Sequence, residues 1–375
     1  MRLALAEIRR AKVRFGLLVG AVALLVFLLL FQQTLAGALL GYFTGALEQQ
    51  SAEVLVYGRD ARRNVEGSLI LPGTIEAVAA VPGVRAAAPL GEGTFTVRTA
   101  RGLADAVIFG YEPGGPGAPM RIAAGRVPAT EGEALASAVD ADSGFGIGDR
   151  VQVVPGEVTF TVVGLVEDGR FAVLPTLYTT YDGYVRAALA ANPDAREVLP
   201  SLVAVDPEPG VAPERLAARI TARVEGVEAL DRATAVSSLP GVSAIRSSFD
   251  IVLGLGFVVV VLVIGFFFLI LTVQKSQALT MLRAVGASAG FLLRALALQV
   301  TLVTLVGVGL AALLLAAVAS VSSDAFPISA EPGLIGATGG AVLVLALLAS
   351  LASVRRIARL DPTAAASRGG AGGLA

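Results

Sequence analysis

The side chains of this sequence that are suited to acid–base or metal chemistry are carboxylates, because the chain contains no histidine and no cysteine. That composition excludes His- or Cys-based nucleophiles, the usual zinc sites, haem attachment and disulfides. Asp140, Asp142, Gly144 and Asp149 partly resemble a calcium-binding loop. However, Val151 stands where such a loop needs a bidentate glutamate, so we expect a plain surface turn here.

The adjacent acids Glu167 and Asp168 also fail as an acid–base pair, because neighbouring strand positions point to opposite faces. No Gly-x-x-x-x-Gly-Lys-Ser/Thr run is present, which excludes ATP binding through a P-loop. The sequence therefore predicts a chain that is not an enzyme, with no catalytic, cofactor-binding or metal-binding residues of its own.

The most informative feature of this sequence is a set of long apolar segments, and not any reactive side chain. Four of them are long enough, at about 1.5 Å per residue, to cross a hydrocarbon core about 30 Å thick. They are residues 15–31, 249–273, 291–319 and 334–354. A hydrophobic fraction of 55% and a mean hydropathy of +0.75 lie outside the range of soluble domains. The net charge of −1 provides no positive excess for a nucleic-acid partner.

The first apolar segment has two interpretations. Its basic flank and the small residues Ala36-Gly37-Ala38 resemble a cleaved signal peptide. The apolar run is longer than a signal-peptide core, and a helix-compatible pattern continues to about Leu47, which favours a permanent anchor.

Basic residues flank the segment ends that a four-span arrangement places in the cytoplasm. They are Arg2, Arg9, Arg10, Lys12 and Arg14, then Lys275, Arg283 and Arg294, and finally Arg355, Arg356 and Arg359. By the positive-inside rule, both termini lie in the cytoplasm and the large polar region lies outside.

The fold class expected is thus an α-helical membrane protein with four transmembrane helices in a 1+3 layout and an extracytoplasmic α+β domain. The predicted regions are a cytoplasmic N-terminus (1–14), a first span with a stalk (15–47), the extracytoplasmic domain (48–248), span two (249–273), a cytoplasmic loop (274–290), span three (291–319), an outer loop (320–333), span four (334–354) and a cytoplasmic tail (355–375).

Alternating apolar patterns inside the extracytoplasmic domain predict short strands and two helices. The predicted strands are 53–57, 94–99, 106–111, 150–154, 158–166 and 202–205, and the predicted helices are 74–81 and 213–224. Each helix is followed by a glycine and a valine that enters a strand, which indicates two related α-then-β units at the two ends of the domain.

Gly37, Gly41 and Gly45 recur every four residues beyond the apolar run of the first span. Such a stripe is typical of a helix that packs its small face on a neighbour. The stripe is also compatible with a stalk that leaves the membrane and enters the outer domain, and the two interpretations do not exclude each other.

The residue pattern of the loop 274–290 predicts a short amphipathic helix that ends at Gly286. Leu279, Leu282 and Val285 form its apolar stripe, and its polar contact candidates are Lys275, Gln277 and Arg283. Such a segment fits a partner's groove or the lipid surface equally well.

At this loop the sequence resembles a known family. Residues 278–288 (ALTMLRAVGAS) are similar to the signature of FtsX-like, MacB-type (type VII) ABC transporter permeases, and residues 355–365 (RRIARLDPTAA) are similar to the cytoplasmic ending of that family. Four short motifs resemble the periplasmic core domain of that family: GRVP (125–128), GE (132–133), IGD (147–149) and FTVVG (160–164). The 1+3 layout agrees, so the resemblance covers nearly the whole chain.

The resemblance implies a permease that works as a dimer, a homodimer or a related heterodimer, in the lipid of a bacterial inner or plasma membrane. ATP and magnesium would be bound by a separate ABC ATPase subunit. The contact candidates on the coupling helix would be Leu279, Leu282, Arg283 and Gly286. The outer domain would divide into a porter lobe, about 48–111 with 200–240, and a sabre lobe, about 112–199. Lys275-Ser276-Gln277 stands where many relatives carry an acidic pair.

Three functions remain open from the sequence. The first is export or extraction of an amphiphilic substrate (a drug, peptide, lipid or lipoprotein) by mechanotransmission, in which ATP-driven motion is passed through the membrane to the outer domain. The second is a signal transmitter that transports nothing and activates an extracellular partner such as a cell-wall hydrolase. The third is an anchored structural or receptor domain with no ATPase.

Overall fold

A computed structural model describes residues 12–274, 289–321 and 331–358. These residues form two compact units: Gly37–Ser247, here named the core domain, and a helical unit of residues 12–36, 248–274, 289–321 and 331–358. In chain order the principal elements are α1 (Lys12–Glu48), β1 (Val54–Gly58), α2 (Thr74–Ala79), β2 (Val84–Thr99), β3 (Gly102–Tyr111), β4 (Ile122–Gly125), β5 (Glu133–Ser137), β6 (Arg150–Val153), β7 (Thr159–Val166), β8 (Thr176–Thr180), α3 (Tyr181–Ala191), β9 (Leu202–Pro207), α4 (Pro213–Arg223), β10 (Val227–Asp231), α5 (Arg232–Ser237), α6 (Val242–Gln274), α7 (Ala289–Val321) and α8 (Pro332–Ala358).

Four helices of the described chain are long and apolar enough to cross a bilayer. The qualifying segments are Phe15–Glu48, Val242–Phe267, Ala297–Val321 and Pro332–Ala349. The 1+3 arrangement predicted from the sequence is therefore confirmed. The helices themselves extend one to seven residues past the predicted ends, since hydropathy marks the apolar part of a helix and not its hydrogen-bonded length.

Inside the helical unit, glycines allow the helices to approach closely. A Cβ atom added at Gly256 of α6 would lie 2.6 Å from the side chain of Leu29 in α1, and one at Gly307 of α7 would lie 2.7 Å from Val22. Gly339 of α8 makes the same kind of approach to α7, with 2.8 Å to a side-chain atom. Helices in lipid associate through such van der Waals contact, because no water is expelled from between them.

Two polar contacts connect α1 to other helices of this unit. Gln32 Nε2 donates to the carbonyl of Phe249 in α6 at 3.4 Å. Thr338 Oγ1 in α8 donates to Gln33 Oε1 at 3.1 Å. Interhelical hydrogen bonds between polar side chains of membrane helices contribute about 1 kcal/mol. Gln32 and Gln33, the polar residues that follow Phe31, therefore lie at helix–helix contacts.

The core domain is built on one ten-stranded sheet with the order β10-β1-β9-β2-β3-β8-β5-β7-β4, and β6 pairs with both β2 and β7. The four strands β10, β1, β9 and β2 pair antiparallel throughout. With α2 and α4 they form a β-α-β-β-α-β arrangement of the ferredoxin-like type. The two α-then-β units expected from the sequence are its two halves, α2–β2 and α4–β10.

Strand β1 shows why this part of the sheet is a stable base. Its residues Val54, Leu55, Val56 and Tyr57 are all fully buried, because both faces of the strand are covered. One face packs under α2 and α4, where Leu216 and Ile220 of α4 are buried. The other face packs against the end of α1 and against α5.

The long hairpin β2–β3 connects this base to a second hydrophobic core. That core contains buried residues of the hairpin together with residues of β5, β6, β7, β8, α3 and the segment between β5 and β6: Val97, Ala106, Ile108, Ala134, Ala136, Phe145, Val151, Val153, Phe160, Val162, Leu177, Tyr184 and Ala187. Because one hairpin contributes to both cores, the sheet is continuous across the region where the sequence predicts a boundary near residue 112. The division into porter and sabre lobes stays a prediction.

Each predicted strand and helix of the core domain corresponds to an observed element, but β2 begins ten residues earlier than predicted. Strands β4, β5 and β8 and helices α3 and α5 were not predicted. The sequence of β8, TLYTT, is buried at every position although three of its five residues are threonine, so it carries no alternating apolar signal.

Candidate functional site

The end of helix α1 is held by the loop that joins β7 to β8, and this joint is the candidate functional site. We name it the stalk clamp and define it as residues 42–46 of α1, the loop 168–174 and Asp140. All of these residues belong to the core domain. The expectation from sequence that α1 continues as a stalk into the outer domain is consistent with this contact.

Backbone hydrogen bonds connect the loop to the helix. Ala46 N donates to the carbonyl of Arg170 at 3.0 Å, and Val173 N donates to the carbonyl of Tyr42 at 3.0 Å. In a regular helix, the amide of residue 46 and the carbonyl of residue 42 are each other's partners. The loop therefore binds the helix through the main-chain groups that hold a turn of the helix together.

Gly45 makes this approach possible. A Cβ atom at this position would lie 2.1 Å from the carbonyl oxygen of Asp168 and 3.0 Å from that of Arg170. By contrast, no neighbouring atom of the described residues lies within 4 Å of such a Cβ at Gly37 or Gly41. The three glycines predicted as a helix-packing face thus differ. Within the described chain, Gly45 packs against a loop and not against a helix. Helix packing on Gly37 and Gly41 stays a prediction.

The side chain of Arg170 joins three parts of the clamp. Its guanidinium lies over the ring of Tyr42, with Cζ 4.7 Å from the ring centroid. It also forms a bidentate pair with Asp140, in which Arg170 Nε donates to Asp140 Oδ2 at 3.2 Å and Nη2 donates to Oδ1. Asp140 is 1% exposed. Burial raises the pKa of the Asp140 carboxyl more than the hydrogen bonds and charge of Arg170 lower it.

This position of Asp140 corrects one sequence-based expectation. The stretch around Asp140 was expected to be a plain surface turn, but its carboxylate is buried and paired with Arg170, which is thirty residues away in the chain. The expectation was wrong because spacing along the sequence carries no information about a charge partner from another loop. Glu167 and Asp168 do lie at the surface, where both bind Arg121.

The clamp loop has an unusual backbone, and its own contacts hold it in place. Asp168, Ala172 and Val173 have φ values of 51°, 50° and 63°. Positive φ is costly for a β-branched residue such as Val173, so other interactions must stabilise it. Tyr178 donates a hydrogen bond to the carbonyl of Gly169, and the ring of Phe171 packs edge-on against a neighbouring ring of β3 at 5.4 Å.

The predicted ATPase-coupling residues Lys275, Gln277, Leu279, Leu282, Arg283 and Gly286 lie outside the described residues. Sequence reasoning missed Tyr42 and Arg170 as candidate residues, and it considered Asp140 only as part of a possible calcium-binding loop. No sequence motif links the three residues, because they are far apart in the chain.

Two family models match this chain. The model for the FtsX-like permease C-terminal matches residues 251–362, and the model for the MacB-like periplasmic core domain matches residues 15–223. The chain belongs to the FtsX-like, MacB-type ABC transporter permeases. It is thus a membrane-spanning permease whose Gly37–Ser247 unit is a MacB-like core domain on the extracytoplasmic side.

Relatives of this permease share most of its length. An uncharacterized ABC transporter permease of Mycobacterium tuberculosis (strain ATCC 25618 / H37Rv) is 31% identical over 293 residues, which is 77% of this chain and 76% of the relative. A second uncharacterized ABC transporter permease of that strain is 28% identical over 324 residues, 85% of each chain. The crystal structure of the extracellular domain of the noncanonic ABC-type transporter YknZ from Gram-positive bacteria is similar over 48% of this chain and 99% of its own, with 15% identity and a TM-score of 0.34.

Proposed function

We propose that this permease works by mechanotransmission, with a separate ABC ATPase subunit docked on its cytoplasmic loop and a second permease copy completing a dimer. ATP and magnesium are bound by that ATPase subunit. Closure of the ATPase moves the membrane helices, and the stalk clamp passes this motion to the core domain. The cargo is an amphiphilic molecule that is exported or extracted at the outer leaflet.

The stalk clamp is the observation that carries this proposal. A helix that only anchors a domain needs no more than a flexible linker at its end. Here a loop binds the main chain of α1, places an arginine on Tyr42 and connects through β7 and β8 to the second core. A joint of this kind passes on a displacement of α1, because the loop must move with the helix.

The chemistry of the spans supports the same mechanism. The apolar stretches of the four helices contain no Asp, Glu, Lys or Arg near their middle. Ion- and proton-coupled transporters usually carry ionisable residues at that depth. Work by this permease therefore needs an external energy source, which a nucleotide-driven partner supplies.

The absence of cysteine makes a direct test practical. Leu103 of the core domain is 64% exposed, so Leu103→Cys carries a spin label without disturbing packing. The labelled full-length permease is reconstituted in nanodiscs with its ATPase, and the distance between the two labels of the dimer is measured with and without ATP. We expect two different distance distributions.

Two variants test ATPase binding and transmission of the motion separately. Leu282→Asp in the cytoplasmic loop should abolish co-purification of the ATPase. Gly45→Ala at the clamp should leave ATPase binding intact but remove the ATP-dependent change in distance. If no ATPase associates with the wild-type chain, or if ATP leaves the distribution unchanged, mechanotransmission is wrong. If ATP changes the distance but deletion of the permease alters only an extracellular hydrolase activity, the signal-transmitter function replaces transport.

A further inference from the structure

Strand β2 contains two glycines where it passes from the first hydrophobic core of the core domain to the second. We name Gly91, Gly93 and the opposite Gly110 of β3 the glycine seam. Gly91 lies directly opposite Gly110 of β3 in the ladder, and Gly93 follows two residues later. The ring of Tyr184 in α3 covers this pair: a Cβ at Gly91 would lie 2.3 Å from the Tyr184 ring, and one at Gly110 would lie 2.2 Å from Tyr184 Cβ. Glycine in a strand interior weakens the strand and allows another group to approach closely, as Tyr184 does here.

Glu92 lies in the seam, between the two glycines of β2, and its backbone is fully bonded. Glu92 N donates to Ser201 Oγ at 3.0 Å. Its carbonyl accepts hydrogen bonds from Ser201 Oγ at 3.1 Å and from the Tyr184 hydroxyl at 2.9 Å. The main chain at Glu92 therefore holds β2, α3 and the start of β9 together.

The carboxyl group of Glu92, in contrast, is buried without adequate partners. The residue is 5% exposed, and its Oε2 atom has no hydrogen-bond partner within the part of the chain that the structure describes. Across the same described ranges, Glu92 forms no ion pair. A buried carboxylate that is neither paired nor fully hydrogen-bonded strongly favours its neutral form.

Of the titratable groups that face Glu92, Glu66 reinforces this preference. Glu66, in the loop between β1 and α2, is a like charge, and the phenol of Tyr184 approaches from α3. Burial first, and Glu66 second, raise the pKa of the Glu92 carboxyl to about 7. The group therefore changes its charge at a pH that an extracytoplasmic surface experiences.

We propose that Glu92 is a proton-operated switch of the core domain. The neutral side chain stays buried and keeps the seam closed, with Tyr184 seated on Gly91 and Gly110. The ionised side chain leaves its site for water, and β2 moves at its glycines so that the seam opens. The switch concerns the core domain alone, so it holds whether or not an ATPase drives the permease.

Hydrogen–deuterium exchange of the full-length permease in nanodiscs tests this switch between pH 6 and pH 8. The probes are the amides of residues 90–94, with rates corrected for the intrinsic pH dependence of exchange. If opening exposes a carboxyl with an ordinary pKa of 4.5, protection should fall about ten-fold between these pH values. Asp105→Asn changes an exposed carboxylate on the same hairpin and should reproduce the wild-type curve.

Two variants assign the step to Glu92. Glu92→Gln cannot ionise, so its protection should not change with pH. Glu66→Gln removes the like charge, so the loss of protection of the residue 90–94 amides should have its midpoint at lower pH than in the wild type. A flat wild-type curve, or a step that survives in Glu92→Gln, would overturn the switch. If Glu92→Gln fails to fold, the pH midpoint of the loss of protection in Glu66→Gln provides the test. A midpoint equal to that of the wild type would then overturn the switch.

Discussion

The guanidinium of Arg170 lies over the ring of Tyr42, and the same guanidinium forms a bidentate pair with the buried carboxylate of Asp140. One side chain thus connects the end of the first membrane helix, the β7–β8 loop and the segment after β5. Arginine suits this role because its planar group stacks on a ring and binds a carboxylate at the same time. The relationship adds to the packing of the end of helix α1 on the sheet of the MacB-like core domain.

Removal of the arginine should destabilise the core domain strongly. Arg170→Met leaves Asp140 buried and unpaired, which we expect to cost about 3–5 kcal/mol of unfolding free energy. Hydrogen exchange of the β8 amides in the full-length permease measures this loss. Arg121→Met is the control: Arg121 and its partner Glu167 are both about half exposed, so the loss should stay below about 1 kcal/mol. Equal losses for the two variants would contradict the role assigned to Arg170.

Gly45→Ala should loosen the clamp, because the new methyl group would meet the Asp168 carbonyl at 2.1 Å. We expect a cost of about 1–3 kcal/mol and faster exchange at residues 168–174. Gly41→Ala lies on the same helix with open space around it, and alanine favours a helix over glycine by up to about 1 kcal/mol. That variant should therefore be neutral or stabilising. Unchanged exchange in Gly45→Ala would show that the loop does not depend on close approach.

Glu92 makes the stability of the core domain depend on pH with a definite sign. Its folded pKa of about 7 is higher than the ordinary value of 4.5, so the folded state retains a proton that the unfolded state releases. The stability this provides is fully present below pH 4.5 and is lost as the pH rises to about 7. Between pH 5 and pH 8 the wild type should lose about 2–3 kcal/mol.

Glu92→Gln should not show that loss. Unfolding free energy, measured by denaturant titration of the full-length protein at both pH values, provides the comparison. The variant and the wild type should differ most at pH 8. A parallel loss of stability in both proteins would mean that another group titrates in this range.

Cysteine labelling should confirm the topology predicted from the basic residues. Leu103→Cys should react with a membrane-impermeant maleimide in intact cells, whereas Arg283→Cys should react only after the cells are opened. The parent chain, which has no cysteine, provides the unlabelled background. Labelling of both positions from the same side would contradict the arrangement of one span, an outer domain and three further spans.

The amino-acid sequence by itself determined the parts of this permease that depend on local physics. Four long apolar runs produce four helices, since a bilayer demands continuous apolar length and internal hydrogen bonding. Alternating patterns located β7, and amphipathic spacing located α4, because burial of one face leaves a period in the sequence. The short motifs that resemble the family also led to the correct family.

Tertiary structure alone decided which distant residues meet. Asp140 is buried only because Arg170 arrives from another loop, and Gly45 differs from Gly41 only because a carbonyl approaches one and not the other. The pKa of Glu92 depends on burial and on Glu66, twenty-six residues earlier in the chain. These properties arise from contacts across the fold, and a pattern read along the chain contains only the interactions between neighbours.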